Sequence, residues 1–165
     1  MDGKALVVYY SRTGTTRKVA EAIAGLLRCD IEEIKDTRSR AGAWGFVRSG
    51  EEATLKALPE IVEPARDPGE YGLVIVGTPV WAWTMSSPVR TYLTRYAARF
   101  RAVAFFLTTG GTGIERTFGH MEALCRKKPE AALGLTMPQV VKGDPSDKIR
   151  DFAARLSRQG PGVTE

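Results

Sequence analysis

The sequence predicts an α/β fold: a doubly wound sheet of five parallel strands, order 2-1-3-4-5, with helices on both faces. Three observations carry that expectation. Short runs of branched apolar residues alternate with stretches of helical periodicity along the 165 residues. The runs at 4–10 (KALVVYY), 73–78 (LVIVGT) and 102–108 (AVAFFLT) are continuously apolar, as strands covered on both faces must be. The segment after each of those three runs is chemically unusual, which suits ligand-facing loops at the carboxyl ends of parallel strands.

The elements can be justified in order. Residues 4–10 form the first strand. Residues 15–28 repeat Val19, Ile23, Leu26 and Leu27 at helical spacing. Residues 30–34 (DIEEI) read as a short strand with Ile31 and Ile34 as its apolar positions, and a helix is expected over about 43–58, carrying Trp44, Val47, Thr54 and Leu58. Pro59, Pro64 and Pro68 interrupt the chain before the third strand, 73–78. Pro88 suits the first turn of a helix over 88–98, capped by Ser86 or Ser87. The fourth strand, 102–108, leads through TGGTG to a helix over about 114–127, and Ala132 to Met137 is the fifth strand. Asp144 or Ser146 should cap a last helix ending near Ser157. One domain over 1–160 is expected, with 161–165 as a loose tail.

Composition bounds the function. A 43% apolar, 26% charged chain is ordinary for a globular protein, and no apolar run approaches the ~20 residues of a membrane span. With no signal-peptide pattern, a cytoplasmic location is expected. Cys29 and Cys125 form no CxxC pair and read as reduced thiols in helix packing. The net charge of +5 is uneven: residues 1–80 hold 11 Lys and Arg against 12 Asp and Glu, residues 81–165 hold 13 against 7. No acidic residue stands from Tyr71 through Ile114, whereas Arg90, Arg95, Arg99 and Arg101 do. That run is either a solvated basic helix face or an attraction for an anionic cofactor, substrate or acidic partner. No nucleic-acid-binding module accompanies it.

Three loops carry the chemistry. The first, Ser11-Arg12-Thr13-Gly14-Thr15-Thr16, opens a helix whose first N–H groups lack intrahelical partners, so an anion is favoured there. Four hydroxyls are more than a helix cap requires and suit a phosphate monoester. A P-loop would need Lys in this loop, a Rossmann fingerprint would need Gly-x-Gly-x-x-Gly, a low-molecular-weight phosphatase would need Cys, and a receiver domain would need Asp where Gly77-Thr78 stands. Binding of phosphate without chemistry on it survives. The second loop, Thr78-Pro79-Val80-Trp81-Ala82-Trp83, offers two indoles to a flat aromatic ligand, although one of them is expected to pack against the neighbouring helix. The third, Thr108-Thr109-Gly110-Gly111-Thr112-Gly113, lets backbone groups approach a ligand edge closely. His120, the only histidine, reads as a surface residue, and one of Tyr9 and Tyr10 is expected to face the core.

In VVYYSRTGTTRKVAEAI, residues Val7, Val8, Tyr9, Ser11, Gly14, Thr16, Ala20 and Ile23 occupy the constrained places of the flavodoxin phosphate-loop signature, and the chain resembles that family over nearly its whole length. GTPVWAWTMSSPVRTYL and FFLTTGGTG are similar to the two flavin-ring loops of flavodoxin-like proteins. The resemblance implies non-covalently bound FMN, with its phosphate on residues 11–16 and its isoalloxazine between loops 78–83 and 108–113. Electron-carrier flavodoxins are usually acidic and place a tyrosine in the third loop. This chain is basic and has no aromatic there, which implies an open ring face and a likeness to NAD(P)H:quinone oxidoreductases of the same fold. The expected function is therefore reduction of quinone-like acceptors by NAD(P)H, the alternative being an electron carrier for an acidic partner protein. With no carboxylate over 71–114, the fully reduced couple should lie at a less negative potential than in an acidic flavodoxin.

Overall fold

The structure, a computed structural model, describes residues 3–37 and 58–159. Strand β1 (Ala5–Tyr9) runs into helix α1 (Thr15–Leu27), which returns to β2 (Asp30–Glu33). Strand β3 (Leu73–Trp81) turns back on itself as β4 (Thr84–Met85) and leads to α2 (Ser87–Tyr96). Then come β5 (Val103–Thr109), α3 (Ile114–Cys125), β6 (Ala132–Thr136), a short α4 (Met137–Val141) and α5 (Ser146–Arg158). The helix expected over 43–58 falls, apart from Leu58, outside the described residues, as does the tail at 161–165.

The parallel strands lie in the order β2-β1-β3-β5-β6, which is the anticipated 2-1-3-4-5 path with β4 paired antiparallel beside β3. Period-two alternation divides the core into two layers. Leu6, Val8, Val74, Val76 and Phe105 face α2 and α3, meeting Val89, Tyr92, Leu93, Met121 and Cys125. Val7, Ile75, Ala104 and Phe106 face α1 and α5, meeting Val19, Ile23, Ile149, Phe152 and Leu156. Tyr9 and Tyr10 therefore both pack inside, on opposite faces of the sheet, where one had been expected.

Several ends differ from expectation for local reasons. The strand expected over 73–78 continues to Trp81 because the chain folds into a tight hairpin instead of leaving the sheet. Helix α4 begins at Met137, set by a reciprocal cap: Thr136 Oγ1 accepts from the Gln139 N–H, and Gln139 Oε1 accepts from the Thr136 N–H. At α5 the cap residue is Pro145, while Asp144 accepts the Ser146 N–H at 3.0 Å from just outside. Both cysteines are free, and burial pushes the Cys29 thiol up to about 11 and the Cys125 thiol up to about 12, so neither is a ready nucleophile. No helix among the described residues is long and apolar enough to cross a membrane.

Gly77 fixes the middle of the sheet. It sits opposite Phe106 in the β3–β5 register, and a Cβ there would lie 2.0 Å from the Phe106 ring. Phe106 is fully buried, so its ring has nowhere to retreat. Gly77→Ala should destabilise the fold by about 1–3 kcal/mol, read from urea unfolding midpoints, and Phe106→Leu in the same chain should recover part of the loss. Additive effects of the two substitutions would show that this contact does not set the packing.

Candidate functional site

The first loop leaves β1 at its carboxyl end. Gly14, the residue before α1, takes φ +99°, a left-handed value that favours glycine, and its N–H donates to Ser11 Oγ at 3.0 Å. No side chain caps the helix, so the N–H groups of its first turn have no capping side chain to meet them. The hydroxyls divide into two groups. Ser11 braces the turn, and the buried Thr16 hydroxyl shares a hydrogen bond of 2.8 Å with Thr108 of β5. Thr13 is exposed and Thr15 half-buried, and neither hydroxyl has a protein partner among the described residues. Arg12 lies half-exposed at the same turn.

The second loop is a hairpin. Ala82 and Trp83 form its two-residue turn at φ +48° and +61°, the left-handed values that a type I′ turn requires at both central positions. Thr78 is fully buried; its hydroxyl accepts the Ser86 N–H at 2.9 Å and lies within bonding distance of Pro79 O and Ser86 Oγ, holding the hairpin base shut. The two indoles have separate fates. Trp81 is buried, edge-on to Tyr10 with ring centroids 5.4 Å apart, whereas Trp83 is 58% exposed at the tip. Pro79 and Val80, just before Trp81 in the strand, are half-buried.

The third loop is organised by Thr109, whose hydroxyl donates to the Thr112 carbonyl at 2.6 Å and accepts the Gly111 N–H. Gly113, at φ +86° before α3, touches the second loop: a Cβ would lie 3.1 Å from the Trp83 backbone and 3.2 Å from Val80. Around Gly110 and Gly111 the space is open. The three predicted loops thus meet on one ledge at the strand carboxyl ends, the first tied to the third through Thr16–Thr108 and the second packed on the third at Gly113–Trp83. A cavity of about 690 Å³ lies instead at the opposite end of the sheet, between Lys4, Cys29, Gly72 and Leu156. It contains none of the predicted residues, and the ledge is where the polar groups converge.

Beneath the hairpin lies a cluster that the sequence reading missed. Arg90 belongs to the run expected to be either a solvated basic face or an attraction for an anion, yet it is only 9% exposed. Its Nη2 donates to Thr84 Oγ1 at 2.9 Å, its Nε meets no partner, and burial alone lowers its pKa. Thr84 Oγ1 in turn lies 2.7 Å from His120 Nδ1, so His120 is a half-buried member of this cluster and not a plain surface residue. A signal was available: Ser86, Arg90, Leu93 and Ala97 share one helical stripe, and all four are buried.

An open parallel sheet whose loops converge at the switch point between its first and third strands defines a doubly wound, ligand-binding α/β protein. The chain belongs to the flavodoxin family, whose model matches residues 4–137. Among solved structures it is similar to a flavoprotein in complex with FMN from Lactobacillus acidophilus NCFM, 25% identical over 90% of this chain and 99% of that one, with a TM-score of 0.68. A protein of Bacteroides eggerthii DSM 20697 shares the fold at 22% identity and a TM-score of 0.77, covering 94% of this chain and 99% of its own. So does a WrbA-like flavodoxin from Agrobacterium tumefaciens, at 15% identity and a TM-score of 0.60 over 96% and 99% of the two chains. No curated protein matches the chain.

The buried Thr16–Thr108 pair gives a direct test of how the loops are joined. Thr16→Val strands the Thr108 hydroxyl in the interior and should cost about 1–3 kcal/mol, whereas Thr16→Val with Thr108→Val should be close to neutral. Chemical denaturation of the four proteins in a double-mutant cycle measures this, and zero coupling would refute the tie.

Proposed function

We propose that the chain binds FMN on this ledge and passes electrons from NAD(P)H to quinone-like acceptors. The observation that carries the reading is the start of α1: a left-handed Gly14, no capping side chain, and Thr13 and Thr15 hydroxyls without protein partners among the described residues. Backbone donors, hydroxyl donors and the positive end of a helix suit a phosphate dianion. Ser11, Thr13, Gly14, Thr15 and Arg12 would hold that phosphate, while Thr16 serves chiefly to tie the loop to β5. Open space around Gly110 and Gly111, with the Trp83 indole exposed across Gly113, suits a planar ring laid along the hairpin and the third loop. The family membership and the FMN complex of the Lactobacillus relative support the same cofactor.

When bound, FMN would supply the capacity to accept a hydride and to return electrons to an acceptor. The chain's own part is binding, orientation and charge. The third loop contributes glycine backbone and no aromatic side chain to the ledge, which favours an accessible ring over a sandwiched one and so an enzyme over a carrier. The carrier reading keeps one observation in its favour: the excess of Lys and Arg over 81–165, which would attract an acidic redox partner.

The purified protein should show an oxidised-flavin spectrum and release FMN identifiable by mass. It should oxidise NADPH in the steady state with a soluble quinone; turnover only after addition of a separate reductase would establish the carrier instead. Thr13→Ala and Thr15→Ala should each weaken FMN binding by about 1.5–3 kcal/mol, the value of a hydrogen bond to a charged group, measured by flavin fluorescence titration. Unchanged affinity in the double variant would place the phosphate elsewhere.

A further inference from the structure

Arg90 is an anomaly in a chain whose other described cations reach solvent. It lies on the buried stripe of α2, makes one hydrogen bond, to Thr84, and leaves Nε unpartnered. Among the described residues no carboxylate approaches it, and none stands anywhere in the sequence from Tyr71 through Ile114. Burying a guanidinium without a counter-ion is costly, and exchange for an apolar side chain of similar size is often neutral or stabilising. The charge is therefore not explained by the packing around it. Its position is informative: the residue it holds, Thr84, directly follows Trp83 and pairs with Trp81 in the hairpin of the ligand ledge.

Arg90, Thr84 and His120 form a linked row. A guanidinium can only donate, so the Thr84 oxygen accepts from it, and the single Thr84 proton is available to His120 Nδ1, 2.7 Å away.

Building on the FMN reading, we propose that Arg90 sets the reduction potential of the bound flavin, acting as a fixed positive charge behind the ring-binding hairpin. Two electrons and one proton convert the neutral oxidised ring into a singly negative reduced one, the electrons coming from NAD(P)H in the proposed reaction. A buried cation favours the negative form and leaves binding of the neutral form nearly unaltered, which raises the potential. Arg90 touches no reacting atom in this scheme. It is a positioning residue for charge.

The test is an anaerobic redox titration of the FMN-loaded full chain, driven by dithionite and reported by indicator dyes. Arg90→Met removes the charge, Arg90→Lys retains it, and His120→Glu sets a carboxylate across Thr84 from the guanidinium without entering the core. Arg90→Met and His120→Glu should each weaken binding of reduced relative to oxidised FMN at least tenfold, equivalent to a two-electron potential lower by about 30 mV. Arg90→Lys should recover most of that difference. A purely structural Arg90 would change thermal stability, or the affinity for both redox forms alike, and leave the potential in place. Bound flavin with unaltered potentials in the charge-altering variants overturns the proposal, and His120→Glu decides alone if Arg90→Met does not fold. A wild-type chain that takes up no FMN overturns the cofactor reading and this proposal with it.

Discussion

The sheet is organised around a side chain that is missing. At Gly77 the bare backbone of β3 lets the Phe106 ring lie across the strand from its neighbour β5, closing the α1–α5 side of the core. The Gly77 carbonyl also accepts the Tyr10 N–H at 3.2 Å, just where β1 ends and the first loop begins. One position thus sets both the spacing of the central strands and the point from which the ligand ledge departs. A methyl group there would push on Phe106, and through it on the two loops whose spacing makes the ledge.

The ledge itself is held together by hydroxyl groups. Thr16 with Thr108, Thr78 with Ser86, and Thr109 with Thr112 each join segments that carry no shared strand hydrogen bonds at those points. Threonine suits this work because its methyl packs into the apolar layer while its hydroxyl bonds sideways, so a polar tie can be buried without an unpaired atom. The apparent excess of threonine thus has two causes. Some hydroxyls secure loop to loop, and only Thr13 and Thr15 of the first loop are left to face outward.

Strand order, layer structure and the meeting of three loops were legible in the sequence because they follow from hydrophobic period and from where parallel strands end. The first loop stood out in the sequence because four hydroxyls and a glycine at a helix start are more than a cap requires. The hairpin at 82–83 was not, since the usual turn signal is Asn-Gly or Asp-Gly and this chain has Ala-Trp. Helix α4 escaped notice because it is five residues long and none of them is fully buried; a reciprocal cap starts it. The burial of Arg90 was not legible because its charge outweighed its place on the stripe through Ser86, Leu93 and Ala97. The same weighting made His120 look ordinary.

The left-handed turn at Ala82–Trp83 has a consequence for anyone who would engineer this protein. Each of these residues holds a backbone conformation that costs a non-glycine side chain on the order of 1 kcal/mol or more. A procedure that rewards foldability alone would write Asn-Gly here and obtain a sturdier hairpin. It would also delete the exposed Trp83 indole at the hairpin tip. Under the proposed function, stability and ligand recognition pull on the same two codons in opposite directions, so thermostable descendants of this chain should be screened for flavin binding as well as for melting temperature.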